Sequence, residues 1–367
     1  MISKKIRVYL QKPWGTSDSS YYKYLREQPP ENIAYVNADD FGLIQNKKRL
    51  MLNNWLKQMA KIWIRRIYPS LVNAHFTRTN KKFDLIHCAH CISRNRFPWV
   101  CDIEFANQFW ASGSLINSSS RKKVLKYLKA PYCKKILAWS EWSKNSILKS
   151  FPEVESKIGI LYPAVPLALT KKSFSKNANL LFVGRDFYMK GGEITLRVFD
   201  KLTKKYDNIS ATIVSDVPEK IVEKYKSNKK IKFYGLMSHE KLFEEIYPNA
   251  DIFVYPTFSD TFGFAILEAQ SFGLPVVAMR TKSTHTINET IKDGKTGFVV
   301  DNLEADAVNR VASKKVFLEI KNDVEKLIKN KRLLKNMSSN CLREIRGGKF
   351  SIKRRNEVLK RVYEGCF

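Results

Sequence analysis

The chain has 367 residues, 44% of them hydrophobic, and 65 Lys plus Arg stand against 35 Asp plus Glu, a formal net charge of +30. That length is too great for one ordinary core and suits two domains, while the apolar content excludes a disordered chain. The charge calls for an anionic neighbourhood (nucleotide phosphates, a phospholipid surface or nucleic acid) unless it is only a solvated, Lys-rich surface.

Residues 6–10 predict a first strand. No secretory signal stands ahead of it, so a cytoplasmic, reducing setting is expected. The six cysteines, at 88, 91, 101, 133, 341 and 366, are too sparse for a disulfide framework. No apolar run reaches the length of a membrane-spanning helix. Gly15 begins a hydroxyl-rich loop, 15–22, which suits a phosphate or acceptor contact or else a capped helix start. Residues 47–68 set Lys and Arg among Trp55, Trp63 and aliphatic residues. That pattern fits a helix lying on the inner face of an anionic membrane, and equally a core helix with a solvated basic side. His87-Cys88-Ala89-His90-Cys91 offers soft ligands without a second cluster to complete a zinc site, so no metal is expected. Residues 84–88 read as a buried strand with alternating faces. The strand after Pro98 ends in Asp102 and Glu104, either of which could polarise an acceptor hydroxyl or simply cap a surface turn.

Further strands are predicted at 33–36, 85–88, 99–101, 136–139 and 158–161, then at 180–183, 211–214, 231–234, 252–255, 276–278 and 298–300. Helical patterns fall at 193–204, 239–247, 264–272 and 284–291. A helical tail begins near 316, and past Gly347-Gly348 it becomes basic over 349–360. Strand-helix alternation predicts parallel sheets covered on both faces, hence an α/β fold of two doubly wound domains. The seam is expected within 162–179, where Pro163, Pro166 and a polar stretch interrupt regular structure. The predicted domains are 1–168 and 169–345, with a C-terminal helix at 346–367 returning to the first.

Two segments carry chemistry. Val183-Gly184-Arg185 is a strand running into a loop, and Lys190-Gly191-Gly192 opens the next helix. Glycine lets the backbone approach a ligand, and an Arg fork with a Lys point charge suits a diphosphate. Asp260-Thr261-Phe262-Gly263-Phe264-Ala265-Ile266-Leu267-Glu268 places two acids eight residues apart around a turn and a helix start. There, backbone N–H groups and the helix dipole favour an anion while the acids favour hydroxyls. No Walker loop follows any strand, and the glycine spacing is wrong for a dinucleotide fingerprint.

These segments, together with Phe233-Tyr234-Gly235, Tyr255-Pro256-Thr257, Gly273-Leu274-Pro275-Val276, Asp293-Gly294 and Thr296-Gly297, resemble the C-terminal half of a family 4, GT-B-fold retaining glycosyltransferase. The likeness covers about 180–300. In the first half it rests on Asp84-Leu85-Ile86-His87, Ala138-Trp139-Ser140 and the strand at 158–161. The resemblance implies two Rossmann-like domains facing across a cleft and a metal-independent hexosyl transfer. The donor is a nucleotide-diphosphate sugar, the acceptor a glycan or lipid-linked hydroxyl, and no separate cofactor is needed. Arg185 and Lys190 match the pair that holds the diphosphate. Asp260 matches the acid beside the donor sugar, and Glu268 the acid that receives the ribose hydroxyls. Phe262, Gly263, Phe264 and Ala265 supply N–H groups to sugar and phosphate. Gly184 lies in the phosphate loop, Gly235, Leu236 and Met237 lie beside the base, and Gly15 faces the donor. Asp260 stands where the family usually has Glu, shortening its reach by about 1.5 Å. Glu104 stands near where the family often has His. Those departures keep open a non-catalytic sugar-nucleotide-binding protein. Charge alone raises nucleic acid as a partner, but no recognition-helix or zinc-finger pattern accompanies it.

Overall fold

The computed structural model describes residues 5–12, 20–40, 47–113, 117–168, 172, 174 and 176–367. The chain divides into two compact units, Met1–Ala164 with Ile352–Phe367, and Val165–Ser351.

The first unit holds a six-stranded sheet of β1 (Ile6–Gln11), β2 (Ile33–Tyr35), β3 (Leu85–Ala89), β4 (Trp99–Ile103), β5 (Cys133–Ala138) and β6 (Ile158–Ile160), in the order β2-β1-β3-β4-β5-β6. All pairings are parallel, with Val8 opposite Leu85 and Ile86 opposite Trp99. β3 and β4 are buried at every position. Alternation expected at 84–88 therefore gives way to a strand covered on both faces, as in interior strands of parallel sheets.

The second unit repeats the plan. β7 (Ala178–Val183), β8 (Ile209–Val214), β9 (Ile231–Tyr234), β10 (Ile252–Tyr255), β11 (Val276–Arg280) and β12 (Gly297–Asp301) lie in the order β9-β8-β7-β10-β11-β12, again all parallel. Leu180, Phe182, Ile213, Phe253 and Val277 form its centre. In both sheets the chain starts on an interior strand, winds out to one edge, then jumps back and winds the other way. The jumps fall between β1 and β3 and between β7 and β10. Loops leave the sheet in opposite directions there, opening a crevice at the carboxyl ends of the strands.

Two helical expectations change. Residues 284–291 do not form one helix. Ser283–Thr284 pairs in parallel with Ser259–Asp260, and only Ile287–Thr290 is helical. Hydroxyls explain this: Thr284 Oγ1 accepts from Thr281 N at 2.7 Å, and Thr281 Oγ1 accepts from Ser283 N at 3.1 Å. Side chains of this kind offer the backbone an alternative to the helix. At 239–247 an α-helical start, His239–Lys241, widens into a π-helical turn, Leu242–Ile246.

Candidate active site

The site in the second unit sits at the crevice between β7 and β10. β7 delivers Gly184 and Arg185 to the sheet edge, with Arg185 exposed. A tight turn follows, closed by Met189 N donating to Asp186 Oδ1 at 3.1 Å and Lys190 N donating to Asp186 O at 3.0 Å. Gly191 ends the turn at φ +75°, and a Cβ there would lie 2.0 Å from Pro256 O. Only glycine meets both conditions, so the turn is pressed directly onto the chain leaving β10. That contact presents Lys190 to the next loop. Its Nζ donates to Ser259 O and to Asp260 Oδ2, both at 2.9 Å.

Asp260 is held on both oxygens. Oδ2 also accepts from the Tyr255 hydroxyl at 2.7 Å, and Oδ1 accepts from Gly263 N at 2.9 Å. Burial and the neighbouring Asp260 charge push the Tyr255 phenol well above its ordinary pKa, so it stays a neutral donor. Gly263, at φ +84°, is the N-cap of the Phe264–Ser271 helix. The helix start, with its partial positive charge, is thus tied to the same carboxylate that Lys190 grips. Thr286 Oγ1 donates to the carbonyls of Thr261 and Phe262, each at 3.0 Å, fixing the approach. Phe262 is buried, while Phe264 and Ala265 are half-buried at the helix start.

Glu268 lies one turn further along and is only 6% exposed. Its Oε1 is 3.0 Å from His239 Nε2, and its Oε2 accepts from the Tyr247 hydroxyl at 3.3 Å. The His239 ring stacks on Phe243 with centroids 4.2 Å apart. Gly235 and Leu236 are exposed after β9, and Met237 packs partly on the core just before His239.

The structure therefore joins Lys190, Tyr255 and Gly263 around the Asp260 carboxylate, with Gly184 against the Lys190 side chain. A Cβ on Gly184 would meet Lys190 Cβ at 3.0 Å. Arg185 stands at the same strand edge. Glu268 shares a helix with this cluster, yet its carboxylate is engaged by His239 and Tyr247. Sequence reasoning missed Tyr255, His239, Tyr247 and Thr286 as partners. The four-residue spacing of His239, Phe243 and Tyr247 was the one visible signal. A cavity of about 530 Å³ adjoins the Gly191 turn, lined by Tyr188, Arg197, Phe258 and Arg310 among others; Lys190, Asp260 and Glu268 are not in its walls.

Gly15 lies outside the described residues. Glu104 belongs to the first unit, just past β4. Its N–H donates to Gln108 Oε1 at 2.9 Å, and its Oε1 is 3.5 Å from His90 Nε2. His90 adopts φ +52° and packs edge-on against Trp139 and Tyr22. Asp102, the other acid of this strand end, is fully buried. It accepts from the Tyr22 hydroxyl at 2.5 Å and sits 3.1 Å from His87 Nε2, while His87 Nδ1 is 2.6 Å from the Tyr363 hydroxyl. Burial pushes the Asp102 carboxyl up, but attraction to His87 and its hydrogen bond outweigh that and leave it below its ordinary value. Asp102 is thus a buried anchor, and Glu104 is the acid with access to solvent. Burial also pushes the Cys88 and Cys101 thiols well up, which makes them inert. Among the described residues no three His, Cys, Asp or Glu side chains gather as a metal site.

Residues 170–340 match the family "Glycosyl transferases group 1". An uncharacterized glycosyltransferase of Methanocaldococcus jannaschii, MJ1607, is 26% identical over 256 residues, which cover 62% of this chain and 64% of that protein. The chain thus spans under two thirds of that relative's length. Among solved structures, a glycosyltransferase from Rickettsia africae aligns with a TM-score of 0.62 at 16% identity, covering 99% of this chain and 98% of its own. S. aureus TarM, solved in complex with fondaparinux, alpha-GlcNAc-glycerol and UDP, aligns with a TM-score of 0.56 at 17% identity, covering 76% of this chain and 55% of its own. These likenesses establish the fold: the chain is a GT-B protein built from two Rossmann-like α/β units.

Proposed function

We propose that this GT-B chain is a family 4 retaining glycosyltransferase that moves a hexosyl group from a nucleotide-diphosphate sugar to a hydroxyl of a glycan or lipid-linked acceptor. One observation carries the reading most: Lys190 and Asp260, 70 residues apart, meet at 2.9 Å where the sheet of the second unit changes winding direction and a helix begins. A cation suited to phosphate and an acid suited to a sugar hydroxyl share that spot with a helix N-terminus. The family match over the same unit and the UDP bound by TarM support a nucleotide donor.

In this reading Arg185, Lys190 and the N–H groups near Phe264 stabilise the charge that grows on the departing diphosphate. Asp260 orients the sugar, and Glu268, with His239 and Tyr247 behind it, receives the ribose hydroxyls. The acceptor oxygen bonds to the anomeric carbon on the face from which the diphosphate leaves. The bond from that carbon to the phosphate oxygen breaks, and the acceptor's proton passes to the leaving phosphate. In this reading Glu104, in the first unit, is the acid assigned to orient the acceptor hydroxyl.

The donor is found by thermal shift against a panel of nucleotide sugars, because a ligand that binds only the native state raises its apparent stability. With that donor, Lys190→Ala and Glu268→Ala each lower transfer at least 100-fold while unfolding stays cooperative. Near-normal turnover in both variants refutes the assignment. Donor binding without transfer or hydrolysis, across a broad acceptor panel, would favour a sugar-nucleotide-binding protein instead. Turnover is expected to persist in EDTA, since positive side chains take the role of a divalent ion.

A further inference from the structure

The Lys47–Ile67 helix turns a row of large apolar side chains to solvent. Leu52, Trp55, Leu56, Ile62, Trp63 and Ile67 are each between 52% and 57% exposed. Offsets of three, four and seven residues place them in one stripe along the axis. At 1.5 Å per residue the stripe runs roughly 22 Å. Tyr68, at 66%, and Leu71, at 48%, carry it past the helix end. Such a run on one face is unusual for a surface facing only water. Every charged residue of this helix is Lys or Arg. The helix is also fastened: Arg65 Nε donates to Ser112 O at 2.8 Å, tying its last turn to the first unit. Among the described residues no helix is long and apolar enough to cross a membrane.

We propose that this face docks on an anionic phospholipid bilayer, with the helix lying in the plane of the interface. The Trp55 to Trp63 stripe enters the boundary of head groups and acyl chains, and the helix's acid-free positive charge draws it to the anionic head groups. Two features choose this occupant. Trp55 and Trp63 lie along the stripe, and an indole, apolar with one polar edge, is suited to a lipid–water boundary. Charge decides the rest. A second copy would bring the same +30 and the same acid-free helix, so self-association on this face works against itself. A nucleic acid would answer the charge and leave the stripe wet. The inference goes beyond sugar transfer and is read without it.

The test sediments the full chain with vesicles of pure phosphatidylcholine and of phosphatidylcholine with one third phosphatidylglycerol, at low and high NaCl. Binding is expected on the anionic vesicles, at least tenfold weaker on the neutral ones, and weaker again at high salt. Trp55→Ala with Trp63→Ala is expected to reduce binding at least tenfold while the thermal transition stays in place. Arg66→Glu, at an exposed position, reduces binding severalfold and serves as the independent arm should the double variant not fold. Absence of binding to anionic vesicles overturns the proposal, as does undiminished binding by folded variants. So does a dimer in sedimentation velocity that the Trp variants abolish while lipid leaves the chain in the supernatant, which assigns the face to a second copy.

Discussion

Asp260 shows what one carboxylate does at this site. Lys190 and Tyr255 converge on one oxygen and Gly263 N–H on the other. Asp260→Ala leaves a buried phenol and a helix-capping N–H without an acceptor, which costs about 1–3 kcal/mol. Asp260→Asn keeps an oxygen for Gly263 but turns an amide N–H toward Lys190, and is expected to cost less than Asp260→Ala, about 1 kcal/mol. Transfer should nonetheless fall at least tenfold in Asp260→Asn, because the charge that orients Lys190 is gone. Urea unfolding and steady-state rates on both variants check this, and equal stabilities for the two would contradict the hydrogen-bond account. The candidate site's residues could be picked out because Gly184, Arg185, Lys190, Asp260 and Glu268 sit at fixed distances from strand ends. Their partners could not be. His239 reaches Glu268 across 29 residues, and the regular spacing of His239, Phe243 and Tyr247 marks a helix face but not the acid it meets.

The elements explain how such contacts arise. His239 and Tyr247 are eight residues apart, and on a regular α-helix they would point about 80° away from each other around the axis. The π-helical turn between them takes up that offset, so both meet Glu268. Strand positions were readable from short apolar runs because both sheets are parallel and buried, which concentrates Val, Ile, Leu and Phe. The 284–291 segment was misread because its hydroxyls bond the local backbone. Charge acts between elements too. Glu325, on the Lys314–Lys329 helix, bonds Lys205, Lys321 and Tyr206 and lies near Lys329. Hydrogen bonds from Lys205, Lys321 and Tyr206 hold its carboxyl far below the ordinary 4.5. A depressed native pKa gives stability that is present above the unfolded value and lost as pH falls toward the native one. Glu325→Gln is therefore expected to be less stable than the parent at pH 7, and the gap should close on acidification below about 4.5. Urea midpoints at pH 7 and pH 3 decide; a gap that is constant with pH would rule the linkage out.

Across the molecule, each unit has its own sheet and core, yet the chain does not assign one continuous stretch to each. The Ile352–Glu364 helix belongs to the first unit. Buried Arg355 donates from Nη2 to Gln28 O at 2.6 Å, and the Tyr363 hydroxyl meets both His87 and Tyr35. Tyr363→Phe leaves the buried His87 Nδ1 unpaired, an expected loss of about 1–3 kcal/mol. It should lower the unfolding midpoint although it lies 276 residues from its partner. An unchanged midpoint would show that the bond contributes nothing net. The alternation of strands and helices made the two-layer plan readable. The tail's return to the first unit was expected, but the partners of Arg355 and Tyr363 lie more than 270 residues away and no local pattern identifies them.

That return sets an order of events on the ribosome. The second unit, Val165–Ser351, is one unbroken stretch and is complete as soon as it emerges. The first unit waits for residues 352–363, because until they are made His87 and the carbonyls of Tyr24 and Gln28 lack their partners. At about 5–20 residues per second, nearly two hundred further residues mean roughly ten to forty seconds of waiting. The half translated first is thus completed last, and during that interval the polar partners of Arg355 and Tyr363 stand without them.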